Sequence, residues 1–150
     1  MSRRSSPIPF EACRRSHAIL HGAAGSPGVT YADGTEVGND QHLQLRFKLD
    51  LFANVRPIRL YAGVKSVLAD WRAGQIDDVI VRENTEALYA SRGAGVNLRG
   101  EVVTDTLVMT RKGIERVARF SFELSRSRHG ATRDGRRRVT VCDKANISRS

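Results

Sequence analysis

From Thr110 to His129 the chain carries its longest regular pattern: a threonine suited to cap a helix, then Ile114, Val117, Ala118 and Leu124 on one stripe, then Arg126, Arg128 and His129. Apolar residues recurring every three to four positions mark one face of an α-helix. A threonine side chain can accept from the first free N–H groups, and basic side chains complement the negative end of the helix dipole. Such a helix needs a partner for its stripe, and the apolar runs upstream read as strands that supply one.

Between Val96 and Met109, apolar and polar residues alternate around Arg99-Gly100-Glu101, which predicts a hairpin-like arm. Val79-Ile80-Val81 reads as a buried strand entered from Asp77-Asp78. Val55 to Tyr61 is β-rich but contains Pro57, which suits an edge better than a central strand. From Leu43 to Phe52 the apolar residues alternate at first, yet Leu45, Leu49 and Phe52 also fit a helical stripe, and a helix is expected. Upstream, Ala18-Ile19-Leu20 reads as a strand opening into the loop Gly22-Ala23-Ala24-Gly25-Ser26-Pro27-Gly28, which continues to about Asp40. Val139-Thr140-Val141 is expected to form a last strand that delivers Asp143 and Lys144 at its carboxyl end. Helices alternating with strands predict an α/β fold, with ligands gathering at strand carboxyl ends.

At 150 residues and 40% apolar, the chain is of the size of one domain or part of one. Its net charge of +9 is confined to the ends. Residues 1–16 carry +3 and residues 126–150 carry +6, whereas 17–125 hold 13 basic and 13 acidic residues. A nucleic-acid domain needs its positive charge spread over a folded face, so the neutral interior argues against nucleic acid as partner. No apolar run approaches the roughly 20 residues that span a bilayer, and no apolar leader follows the opening arginines. A cytoplasmic protein with no membrane partner is expected. Cys13 and Cys142 form no metal or disulfide pattern and read as reduced thiols.

Arg46, Arg56 and Arg82 are the candidate ligand-binding residues. A guanidinium presents a fixed fork of donors that pairs with a carboxylate through two parallel hydrogen bonds, so convergent arginines suit a small dicarboxylate. Taken singly, each reads equally as a solvated surface arginine. Tyr89 and Lys144 are the candidate proton-transfer groups, and both need burial or cationic neighbours to act near neutrality. The glycine-rich loop lacks the spacing of a dinucleotide fingerprint or a P-loop. The four histidines show no metal-ligand spacing.

Three separated segments, Leu45–Pro57, Val81–Tyr89 and Asp143-Lys144-Ala145-Asn146-Ile147, resemble the β-decarboxylating hydroxyacid dehydrogenases: the isocitrate, 3-isopropylmalate and tartrate dehydrogenase family. The resemblance covers roughly residues 17–147. It leaves 1–16 as a basic segment outside the family and 148–150 as a tail. It implies a partial isopropylmalate dehydrogenase-like α/β fold with a β-hairpin dimer arm at Val96–Met109. Arg46, Arg56 and Arg82 would bind the substrate carboxylates, Tyr89 would protonate the enol left by decarboxylation, and Lys144 would assist proton removal from the hydroxyl. In this family that lysine reaches the partner subunit's site, which implies a homodimer. NAD and Mg²⁺ or Mn²⁺ are the implied cofactors. Gly25, Ser26 and Pro27 would lie on the NAD side, and the metal-binding aspartates would lie beyond the lysine motif, outside this chain.

On this reading the chain is an internal fragment of an NAD- and metal-dependent enzyme that oxidatively decarboxylates a 2-hydroxy dicarboxylate such as 3-isopropylmalate, tartrate or malate. Two departures bear on substrate and geometry. Ala87 stands where the family usually has glycine, and His42-Leu43 stands where isopropylmalate enzymes place two apolar residues. The alternative is a catalytically dead truncated subunit that dimerises with a full-length relative, and a basic nucleic-acid-binding domain ranks third. The residues that choose NAD over NADP lie outside the resemblance.

Overall fold

The computed structural model describes residues 7–68, 73–144 and 146. They fall into two units, Met1–Phe52 and Ala53–Ser150.

In the first unit, helix α1 spans Pro7–Arg15 and helix α2 spans Val37–Lys48. Lys48 lies over the Phe10 ring, 5.3 Å from its centroid, which joins the end of α2 to α1. The glycine-rich loop packs by its backbone on α2: a Cβ on the buried Gly38 would meet the Ala24 carbonyl oxygen at 2.5 Å and the Gly25 Cα at 2.6 Å. Leu43, 5% exposed, is the buried apolar residue here. The double pattern of Leu43 to Phe52 resolves at Lys48. Up to there the stripe is helical; beyond it the chain turns out through Asp50, at φ 47°. The Leu51 N–H donates to the Arg46 carbonyl at 2.9 Å and the Asp50 N–H to the Phe47 carbonyl at 3.2 Å, closing α2 as a Schellman motif.

In the second unit, strand β1 (Ala53–Arg59) pairs antiparallel with β2 (Asp77–Glu83), from Ala53 opposite Glu83 to Arg59 opposite Asp77. The link between them folds back as a long hairpin, the Leu60 N–H donating to the Ile76 carbonyl at 3.0 Å, and Leu60 itself is buried. Strands β3 (Val96–Leu98) and β4 (Val102–Thr104) form the expected hairpin, with Arg99 at φ 55° in its turn. Helix α3 spans Arg111–Ser127, and the Thr110 hydroxyl accepts from the Gly113 N–H at 3.0 Å.

Helix α3 packs on β2 and runs antiparallel to it, tied at both ends. Arg116 pairs with Glu83 (3.3 Å) and Arg128 with Asp77 (2.5 Å). The lengths match: twelve helical residues rise about 18 Å, and six strand residues span about 20 Å. The two ion pairs bracket Val79 and Val81, which face α3 with lower exposure than Asp78, Ile80 and Arg82 on the other side.

The mixture of helix and strand is that of the expected α/β class. The described strands pair antiparallel, two by two, because each pair is joined by a hairpin rather than a crossover helix. Two expected strands do not form. Ala18-Ile19-Leu20 and Val139-Thr140-Val141 are irregular, Leu20 being fully exposed and Val141 83% exposed. An extended run becomes a strand only against a neighbouring strand, and the described residues offer neither of them one. Ala145 and Ile147 of the lysine motif lie outside the described residues, as do 148–150. Among the described residues no helix is long and apolar enough to cross a membrane.

Candidate functional site

Opposed residues of an antiparallel pair share a face, and residues two apart along a strand share it too. Asn54 opposes Arg82 and Arg56 opposes Ile80, so Arg56 and Arg82 stand together on the face of the β1–β2 pair turned away from α3. Both are exposed. Arg56 is oriented by a short relay. Its Nε donates to the Asn54 side-chain oxygen at 3.2 Å, and the Asn54 amide donates to the oxygen of buried Asn84 at 3.4 Å.

Tyr89 reaches the same place from the turn after β2. The Arg82 Nη2 donates to the Tyr89 hydroxyl at 3.4 Å, and the guanidinium carbon lies 5.5 Å from the ring centroid. Two of the three candidate arginines and the candidate tyrosine therefore converge. Arg46 sits in the last turn of α2, half-buried, in the other unit. Lys144 is exposed, with its backbone N–H on the Asp143 carboxylate at 2.6 Å. Gly25, at φ 98°, packs against Gly38, and the Ser26 carbonyl accepts from the Val29 N–H at 3.0 Å in the turn that holds Pro27. Beside that turn an open cavity of about 480 Å³ is lined by His21, Glu36, Asn39 and His42 among others. The two histidine rings meet edge to face there at 5.7 Å.

Sequence reasoning missed what holds the turn. The Glu83 carboxylate accepts from the backbone N–H groups of Thr85 (2.8 Å) and Glu86 (2.7 Å), from the Thr85 hydroxyl (2.6 Å) and from Arg116. Burial pushes the Glu83 carboxyl up, but the Thr85 hydroxyl, the two backbone N–H groups and Arg116 together hold it below its ordinary value. The Glu86 carboxylate accepts from the Thr110 N–H (2.8 Å) and hydroxyl (2.5 Å), just ahead of α3. Ala87 then bridges to Val108, its N–H donating to the Val108 carbonyl at 2.8 Å. Its φ is 59°, the left-handed region that favours glycine. The available signal was an acidic residue followed at once by polar turn residues, as in a helix-capping box.

Among the described residues no group of three or more His, Cys, Asp and Glu side chains could hold a metal ion. These residues by themselves do not fit Mg²⁺ or Mn²⁺.

A family model described as isocitrate/isopropylmalate dehydrogenase matches residues 4–150. The chain is 42% identical over 136 residues to the 3-isopropylmalate dehydrogenase of Corynebacterium efficiens, covering 89% of this chain and 37% of that protein. It is 40% identical over 138 residues to the 3-isopropylmalate dehydrogenase of Archaeoglobus fulgidus, covering 92% and 35%. An isocitrate dehydrogenase crystal structure from Methylococcus capsulatus is similar with a TM-score of 0.49 at 33% identity, over 69% of this chain and 27% of that one. The chain thus spans a little over a third of the length of the curated relatives it matches.

Proposed function

The chain belongs to the isocitrate/isopropylmalate dehydrogenase family, and from that premise we propose that Arg56, Arg82 and Tyr89 form part of a site for NAD-dependent oxidative decarboxylation of a 2-hydroxy dicarboxylate. The observation that carries this reading is the convergence of Arg56 and Arg82 on one open sheet face, with the Tyr89 hydroxyl at the Arg82 guanidinium.

The two forks engage substrate carboxylates through charge-assisted, paired hydrogen bonds. Arg46, on α2 of the other unit, carries a fork of the same kind. Bound NAD would supply the acceptor for the hydride of the hydroxyl-bearing carbon. Lys144 takes the hydroxyl proton, and Tyr89 returns a proton to the carbon left by carbon dioxide. The active form is a homodimer in which Lys144 serves the partner subunit's site and the β3–β4 hairpin clasps the two chains. Candidate substrates are 3-isopropylmalate, tartrate and malate, and His42 favours one with a polar substituent.

The test is reduction of NAD, followed by absorbance, with 3-isopropylmalate, D-malate, tartrate and isocitrate in turn, with and without Mn²⁺, beside direct D-malate binding by calorimetry. Metal-dependent turnover lost on Lys144→Ala supports the reading. Folded protein that neither binds nor turns over any of the four counts against it. The absence of a metal-ligand cluster among the described residues favours, as second reading, a subunit without activity that dimerises with a full-length relative. D-malate binding without turnover, and co-purification with such a relative, would establish it.

A further inference from the structure

Helix α3 is joined to β2 by two ion pairs of the same kind, yet their surroundings differ. At one end, Arg128 donates to the carboxylate and the backbone carbonyl of Asp77, where no candidate site residue follows. At the other, Arg116 meets Glu83, the residue between Arg82 and the turn that leads to Tyr89. Arg116 and Glu83 are each 20% exposed, less than the Arg128–Asp77 pair at 32% and 37%.

The Arg116 Nη2 donates both to the Glu83 carboxylate (3.3 Å) and to the Thr85 hydroxyl (2.5 Å), which itself donates to the same carboxylate oxygen. Glu83 in turn caps the Thr85 and Glu86 N–H groups. One guanidinium thus closes a ring of contacts around the first half of the six-residue connection, residues 83–88, between Arg82 and Tyr89. The second half is fastened by Glu86 to Thr110 and by the Ala87–Val108 bridge, so the first half depends on this ring, and the Arg82–Tyr89 contact at 3.4 Å is too long to impose a separation unaided.

We propose that Arg116 is a positioning residue: acting through Glu83 and Thr85, it sets the separation of the Arg82 guanidinium from the Tyr89 hydroxyl. The roles of Arg82 and Tyr89 in binding and proton transfer rest on the functional reading above; the contact itself does not. Arg128 supplies the internal comparison, since it fastens the same helix to the same strand without touching the turn.

The experiment uses the full chain without ligand first. Proton NMR reads the cross-relaxation between the Arg82 side chain and the Tyr89 ring, with the Val55–Val81 cross-strand signals as the measure that β1 and β2 remain paired. D-malate binding is then measured by calorimetry on the same samples. Arg116→Ala is expected to abolish the Arg82–Tyr89 signal and weaken D-malate binding about tenfold while the strand signals persist. Arg116→Lys, with one compact charge in place of a fork, should restore both in part. Arg128→Ala should cost thermal stability yet leave the contact and the binding unchanged. If Arg116→Ala does not fold, Glu83→Gln keeps the side-chain volume and gives the same readout. Persistence of the Arg82–Tyr89 signal in the folded Arg116→Ala or Glu83→Gln chain, or equal effects of Arg116→Ala and Arg128→Ala, overturns the inference. Absence of D-malate binding in the wild-type chain counts against the functional reading alone, because the contact is read without ligand.

Discussion

The Arg82 guanidinium carbon lies 5.5 Å from the centroid of the Tyr89 ring, and Arg82 Nη2 is 3.4 Å from its hydroxyl. One residue therefore meets the other in two ways, through the ring face and through the polar tip. Removing the hydroxyl leaves the ring contact, whereas replacing the guanidinium alters both.

Tyr89→Phe is accordingly expected to keep D-malate affinity within about twofold while lowering the rate of NAD reduction about a hundredfold. Arg82→Lys should weaken D-malate binding about tenfold, because an ammonium cannot form the paired hydrogen bonds of a fork. Calorimetry and absorbance kinetics on the two variants separate these outcomes. Equal losses of affinity in both would contradict the assignment.

Ala87 holds a left-handed backbone with a Cβ in place. Ala87→Gly should relieve that strain and stabilise the chain by about 1 kcal/mol, and Ala87→Val should destabilise it by more. Urea unfolding measures both. A stability loss in Ala87→Gly would mean that the unfolded-chain entropy of glycine outweighs the strain.

Thr110 makes three hydrogen bonds: its hydroxyl donates to Glu86 and accepts from the Gly113 N–H, and its own N–H donates to Glu86. Thr110→Val keeps the shape and the N–H but removes the hydroxyl, and should destabilise α3 by about 1–2 kcal/mol. Thr110→Ser should recover most of that loss. Thermal unfolding followed by helix ellipticity reads the series.

The Asp77, Glu83 and Asp134 carboxyls all sit below their ordinary values. The Arg128 side chain lowers Asp77, and the Arg138 side chain with the Arg136 N–H lowers Asp134 to about 2. Glu83 is lowered despite its burial. A carboxyl that is more acidic folded than unfolded binds fewer protons folded, so stability rises with pH. The contribution is complete above the unfolded carboxyl values of about 4. It is lost as pH falls through the folded values, towards about 2 for Asp134. Chemical unfolding at a series of pH values should show a plateau near neutrality and a fall on acidification. The fall should be shallower in Glu83→Gln.

Helix α3 was legible because its stripe and its cap depend on local spacing, and the β3–β4 hairpin because a tight turn forces register. Strand β1 was read two residues late, as Val55 to Tyr61 against Ala53–Arg59, and β2 two residues short at each end, since Asn54 at the start of β1 and Asp77, Asp78, Arg82 and Glu83 at the ends of β2 are polar and leave no apolar signature. Arg82 and Tyr89 were named from type and resemblance, but the Arg116–Glu83 pair spans 33 residues and has no local trace. The expected strand at Val139–Val141 failed for the converse reason: its apolar character was local, and the partner that a strand requires was not.

The pairing of Asn54 with Arg82 and of Arg56 with Ile80 means that both arginines owe their shared side of the sheet to a count of residues. Deleting or inserting one residue within β1 would invert the alternation beyond that point and send Arg56 to the α3 side, or shift the whole pairing by one. Point substitutions along β1 are graded in effect, whereas a single-codon gain or loss there is all-or-none. Length variation among relatives should therefore collect in the connection from Leu60 to Ile76, where a change in residue number leaves the pairing phase untouched.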